Sequence, residues 1–222
     1  MLRYLVTMIN PGGYALEDTI LRNRIRQIIH DHKIEVIVET GVNEGRSTVE
    51  FGCMSNDMVV VGIDNDSECL KLTSHKITSA GMANRIALFL GNSPDVLRNI
   101  MPLLPDRTLY FLDAHWESYW PLRDEITAIR SGTGVIAIHD MKVPDHPELG
   151  WDAYRGQPVG TQDIQILSND PTIYRVEVYQ RAELDYAYVK EVLTKWSPTH
   201  KIEYNEKAEC SQPRGVGFVF SR

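Results

Sequence analysis

Residues 36–48 read VIVETGVNEGRST, and the order of residue types in that stretch sets the fold. Val36, Ile37 and Val38 make a short apolar run, the length of a buried strand. Glu39 places an acid at its end, Gly41 and Gly45 frame a turn, and Arg46-Ser47-Thr48 reads as a helix start. A strand that stops at a glycine turn and passes straight into a helix builds a ledge for a ligand. Glycine lets backbone approach the ligand closely, and the first N–H groups of a helix have no intrahelical partner. The spacing narrows the choice. A dinucleotide fingerprint needs G-x-G-x-x-G and a phosphate loop needs Gly-Lys-Ser/Thr, whereas this chain has E-x-G-x-x-x-G.

Outward from that ledge the chain alternates. Residues 58–63 (MVVVGI), 85–90 (RIALFL), 107–112 (RTLYFL) and 134–139 (GVIAIH) are further apolar strands, after a first one at 34–39. Helices fit 46–55, then 66–81 opened by Asp66, then 93–104 with Ser93 as cap and Pro94 at the first helical position, then 119–131 stopped by Gly132. Continuous apolar strands separated by helices are the pattern of a parallel sheet covered on both faces. Before it, Ile20, Leu21, Ile25, Ile28 and Ile29 share one helical face over 15–31, so 1–33 reads as an N-terminal helical extension to a domain of residues 34–222. After it, 183–196 fits a helix, and 200–205 and 216–220 fit two final strands. Residues 172–179 suit strand or helix equally. Residues 141–158, rich in Pro, Gly, Asp and His, read as a long irregular loop, the usual form of an active-site lid.

The composition bounds the function. At 222 residues, 43% hydrophobic and 24% charged, the chain is long enough and apolar enough for one sizeable core. A net charge of −7 argues against a nucleic-acid or anionic-membrane partner. The N-terminus lacks a signal-peptide pattern, and no apolar run reaches membrane-spanning length. Cys53, Cys69 and Cys210 are odd in number and far apart, which reads as reduced thiols in a cytoplasmic protein. A homo-oligomer stays open.

The pattern at 39–45, with four further segments in order, resembles the class I S-adenosylmethionine-dependent methyltransferases over about residues 34–222. The resemblance implies an α/β, Rossmann-like, doubly wound sheet of seven strands, mostly parallel with an antiparallel last strand, and helices on both faces. It implies S-adenosylmethionine as cofactor. Glu39, Gly41 and Gly45 would hold the methionine end, Asp64 the ribose, and Asn92 and Ser93 the adenine edge; Ser47 and Asn65 would also contact the cofactor, and Asp113 would lie beside the methyl group. Plainer roles exist for several of these: Glu39 and Ser93 also suit helix caps, and an acid after the second strand also serves nicotinamide enzymes.

Methyl transfer is an in-line displacement that needs positioning above all, and a hydroxyl acceptor must also lose a proton. His115 and His139, at the ends of the fourth and fifth strands, suit that task near neutral pH. The segments LDAHWESYWPLRDEI (112–126) and GVIAIHDMKVP (134–144) resemble, more narrowly, the metal-dependent small-molecule O-methyltransferases of the catechol and sugar types. That implies a divalent metal such as Mg²⁺ on Asp113, His139 and Asp140. His139 departs from the family, which offers a carboxylate there, and Mg²⁺ prefers oxygen ligands. Trp116, Tyr119 and Trp120 suit either an apolar pocket for a small-molecule acceptor or helix packing on the sheet, the latter favoured for Trp120, and His146, Trp151, Tyr154 and Arg155 suit either a lid over the acceptor or surface-loop decoration. The rival readings are a nicotinamide-dependent oxidoreductase and a catalytically silent cofactor-binding module.

Overall fold

The computed structural model describes residues 15–114, 120–164 and 174–221, with 154–164 and 174–181 as backbone. Its centre is a seven-stranded sheet formed by β1 (Val36–Thr40), β2 (Val59–Asp64), β3 (Ile86–Leu90), β4 (Thr108–Leu112), β5 (Val135–His139), β8 (Lys201–Tyr204) and β9 (Val216–Phe220). The strand order is β3-β2-β1-β4-β5-β9-β8. The first five strands pair in parallel, and β9 runs antiparallel to both of its neighbours. The doubly wound sheet with an antiparallel last strand is therefore as the sequence implies.

Alternation along each strand feeds two cores. Ile37, Val60, Leu109, Phe111 and Phe218 point to one face, where α1 (Thr19–Asp31), α2 (Arg46–Met54) and α3 (Ser67–Ser79) bring Leu21, Ile25, Phe51 and Ile77. Val38, Val61, Ile63, Tyr110, Leu112 and Ile138 point to the other. There α4 (Ser93–Ile100), α5 (Leu122–Ala128) and α6 (Tyr186–Trp196) bring Leu97, Ile126, Leu193 and Trp196. Both faces are closed, which is why the central strands carry almost no polar residues.

The helix read from residues 15–31 is present and is part of the first core. Leu16, Leu21, Ile25 and Ile28 are buried there. Its cap, Asp18, is also buried, and one carboxylate oxygen accepts from the N–H of Ile20 and from that of Glu209, both at 2.9 Å. One side chain thus starts α1 and pins the connection between β8 and β9 against it. The start of α4 differs from expectation. Asn92 is the N-cap, and Ser93 is already the first helical residue, with Pro94 following. The hydroxyl of Ser93 donates instead to Glu125 of α5.

The irregular stretch expected over 141–158 is shorter than that. Ala153 opens β6 (Ala153–Ile164), which pairs antiparallel with β7 (Tyr174–Glu183) as a separate two-stranded ribbon. Pairing slips on either side of Pro158, which has no N–H to give to the ladder. The glycines and proline of β6 hide its strand character in the sequence. The undecided stretch 172–179 falls in β7 from Tyr174 on. The ribbon is stitched to the end of β5: Asp152 N–H donates to Asp140 C=O at 2.9 Å, and Lys142 N–H to Leu184 C=O at 2.7 Å. Among the described residues no helix is long and apolar enough to cross a membrane.

Candidate active site

The switch point of the sheet lies between β1 and β4, where the chain leaves β1 toward β2 and β3 and later returns to the other side. Open parallel sheets bind ligands beyond the carboxyl ends of their strands at this place. A cleft of about 400 Å³ opens there, lined by Gly41, Asp64, Asn65, Gly91, Asn92, Ser93 and Ala114 among others. Five residues singled out from the sequence, Gly41, Asp64, Asn65, Asn92 and Ser93, come together on its wall. Glu39, Gly45, Ser47 and Asp113 are not among its lining residues.

Glu39 is fully buried and accepts hydrogen bonds from the hydroxyls of Ser47 and Thr48, in the first turn of α2. It anchors the helix start from beneath, the plainer of the two roles the sequence allows. Burial drives its carboxyl pKa up from 4.5 to about 8. The two hydroxyls oppose that rise, and the charges of Asp113 and Asp64 add to it.

The turn between β1 and α2 is wound by left-handed residues, with φ of 74° at Gly41, 49° at Asn43 and 73° at Gly45. Each glycine is needed for packing within the protein. A Cβ on Gly41 would stand 2.4 Å from the carbonyl oxygen of Asp113, and one on Gly45 would stand 2.4 Å from the side chain of Thr73 on α3. Three amides of the loop ahead of the helix are used internally. Gly41 N–H donates to Ile63 C=O and Gly45 N–H to Val42 C=O, both at 2.9 Å, and Asn43 N–H to Asp64 Oδ2 at 2.7 Å.

Asp64 thereby bridges two loops, since its Oδ1 accepts from Asp66 N–H at 2.8 Å. Each carboxylate oxygen has a second lone-pair direction left for a ligand. Asp66 caps α3 through the N–H of Glu68 at 2.7 Å. Asn43 and Cys69, which sequence reading passed over, also line the cleft. Asn43 had a signal, since asparagine tolerates left-handed backbone between two glycines.

At the ends of β4 and β5 a second group assembles. Nδ1 of His139 lies 2.9 Å from Oδ1 of Asp113 and 3.2 Å from Oδ1 of Asp140. The three ligand atoms lie within 4.8 Å of one another. His139 is nearly buried, which by itself lowers its pKa, but the charges and hydrogen bonds of Asp113 and Asp140 outweigh this and raise it well above 6.5. The two carboxylates thus favour the protonated imidazole. Asp140 takes a left-handed φ of 57°. Arg214 completes the group: its Nε donates to the same Oδ1 of Asp140, and its Nη2 to Oδ1 of Asp152.

Arg214 and Asp152 were not visible as site residues in the sequence. The signal was register. Val216 stands opposite His139 in the antiparallel pair, so the two residues before Val216 must lie just past the end of β5. His115, Trp116 and Tyr119 lie outside the described residues, as do the side chains of Tyr154 and Arg155. Trp120 is buried in the second core with its ring edge-on to Tyr188, 5.3 Å between centroids. His146 Nδ1 sits 2.8 Å from Glu148, and Lys142 lies 4.9 Å above the Trp151 ring.

No protein-family model matches the chain. Solved structures with the same architecture do. An O-methyltransferase from Bacillus cereus in complex with SAH is 16% identical, with a TM-score of 0.57 over 95% of this chain and 83% of that one. The O-methyltransferase TomG from Streptomyces achromogenes, in complex with SAM, is 14% identical at a TM-score of 0.59 over 95% and 81%. A precorrin-6y C5,15-methyltransferase from Geobacter metallireducens is 11% identical at 0.55 over 91% and 87%. Strand order, the antiparallel ninth strand and these likenesses together give the chain the class I methyltransferase fold.

Proposed function

We propose that this chain is an S-adenosylmethionine-dependent methyltransferase that methylates a small molecule on oxygen. The observation that carries the reading is the cleft at the switch point, with Gly41 after β1, Asp64 at the end of β2 and Asn92 after β3 on one wall. Its volume of about 400 Å³ suits a nucleoside-sized ligand. In this reading the Asp64 carboxylate accepts from both hydroxyls of a ribose, and Asn92 and Ser93, which also line the cleft, meet the adenine edge. The O-methyltransferases of this fold that hold SAM or SAH support the cofactor and the oxygen acceptor. The three free thiols support a cytoplasmic setting.

S-adenosylmethionine supplies an activated methyl on a sulfonium. An oxygen acceptor would have to be held in line with that methyl and to give up its proton. The protein's part is to align donor and acceptor. Asp64 fixes the cofactor's ribose. Asp113, next to cleft-lining Ala114 and in contact with His139, would lie on the methyl side of the cofactor. His115 takes the acceptor proton.

Calorimetry with S-adenosylhomocysteine tests the reading. The wild type binds it, and Asp64→Ala binds it about 10- to 100-fold more weakly, the loss of two hydrogen bonds to a charged group. S-adenosylhomocysteine raises the melting temperature and NADH leaves it unchanged. Stabilisation by NADH alone would refute the reading in favour of an oxidoreductase.

A further inference from the structure

The resemblance to metal-dependent O-methyltransferases puts a divalent ion on Asp113, His139 and Asp140. Separations of 2.9 and 3.2 Å between His139 Nδ1 and the two carboxylate oxygens do not decide the matter. They suit hydrogen bonds, and they also suit neighbouring ligands of one octahedral ion. Arg214 decides it. Its guanidinium donates to Oδ1 of Asp140, the same oxygen that faces His139, and bridges on to Asp152. An oxygen that already accepts from a guanidinium offers little to a hard cation, and the guanidinium repels one.

Arg214 is also held in place. Pro213 C=O accepts from Gly150 N–H at 2.8 Å, and Gly215 C=O accepts from Met141 N–H at 2.9 Å. Buried Asn205 donates to Arg214 C=O at 2.8 Å and accepts from Val216 N–H at 2.6 Å. A Cβ on Gly215 would stand 2.0 Å from Met141 C=O, so only glycine lets the connection pass this close to the end of β5. The Arg214 backbone is thus fixed on both sides by neighbouring loops. Two basic side chains, His139 and Arg214, face three carboxylates, Asp113, Asp140 and Asp152.

We propose that Arg214 is a built-in cation that takes the place of a divalent metal at these strand ends, so that the cluster binds no such ion while Arg214 is present. The role in methyl transfer rests on the methyltransferase reading; the exclusion of metal does not. Binding of Mn²⁺, followed by loss of the free-ion paramagnetic resonance signal after chelator treatment and dialysis, tests it.

The expected result is that wild type and Asp113→Asn give superimposable isotherms. Arg214→Gln gains one site at least about tenfold tighter than any in the wild type, as removal of an adjacent positive charge predicts. A wild type that loses one Mn²⁺ on Asp113→Asn overturns the proposal, whether or not the arginine variant folds. A folded Arg214→Gln, shown by a cooperative melt, that binds Mn²⁺ no better than wild type overturns Arg214 as the excluding group. Calorimetry of the wild type with S-adenosylhomocysteine separates the two readings. Its failure removes the methyltransferase assignment and leaves the Mn²⁺ result standing.

Discussion

Gly41→Ala is expected to destabilise the protein by roughly 3–5 kcal/mol, a fall of roughly 6–20 °C in melting midpoint for a chain of this size. Two effects add. The residue sits at φ 74°, where a Cβ meets its own backbone at a cost of roughly 1–2 kcal/mol. The new Cβ would also lie 2.4 Å from the carbonyl oxygen of Asp113 and 2.8 Å from its carbonyl carbon. Those atoms belong to backbone and cannot rotate away. Asp113 is tied in turn to the end of β1, since its N–H donates to Thr40 C=O at 3.2 Å. Relief would require the ends of β1 and β4 to part, and they frame the switch point. Gly81→Ala is the control. Gly81 has nearly the same φ, 70°, with nothing within 4 Å of the added carbon, so it should lose only the backbone part, roughly 1–2 kcal/mol. Equal melting shifts for the two variants would show that close approach of the strand ends is not what requires glycine at position 41.

Glu39→Gln is expected to flatten the dependence of stability on pH. The wild-type carboxyl titrates near 4.5 when unfolded and near 8 when folded, because burial penalises its charged form. Between those values the folded state keeps a proton that the unfolded state has lost, so unfolding free energy declines as pH rises. The stabilisation is complete below about 4.5 and gone once pH passes about 8. A shift of that size is worth roughly 3–5 kcal/mol across the window. Glutamine is neutral throughout and keeps an acceptor for one hydroxyl of the Ser47–Thr48 pair. The variant should therefore be slightly the weaker near pH 5 and the stronger near pH 9. Chemical denaturation at a series of pH values measures both curves, and parallel curves would show that Glu39 does not hold a proton in the folded protein.

Both effects arise in the stretch that reads as a ligand ledge, and the contrast between expectation and structure there is informative. The strand, the turn and the helix over 36–48 were legible because each is local: apolar run, left-handed turn residues, helix start. The purposes of the residues were not. Glu39 looks like a ligand contact in sequence but serves the helix above it. Gly41 and Gly45 look like room for a cofactor, yet each first makes room for another part of the chain, Asp113 and Thr73. Asp64, Asn65 and Asn92 reached the cleft as expected because residues just past the ends of parallel strands have only one edge to occupy.

The distant contributions were hidden for a related reason. Arg214 is 74 residues from Asp140 in the chain and meets it only because β9 turns back antiparallel beside β5. Asp152 arrives through the base of a ribbon whose first strand is masked by glycine and proline. Read alone, the sequence determined the order of strands and helices in the seven-stranded domain, the two-faced burial of its sheet and the edge on which a ligand would lie, but not the β6–β7 ribbon. These follow from apolar periodicity and turn chemistry, which act between neighbours. Only the tertiary structure decided which acid faces the cleft, which is sealed beneath a helix and which is already neutralised by a cation, because charge and burial are set by whatever the rest of the fold packs against a residue.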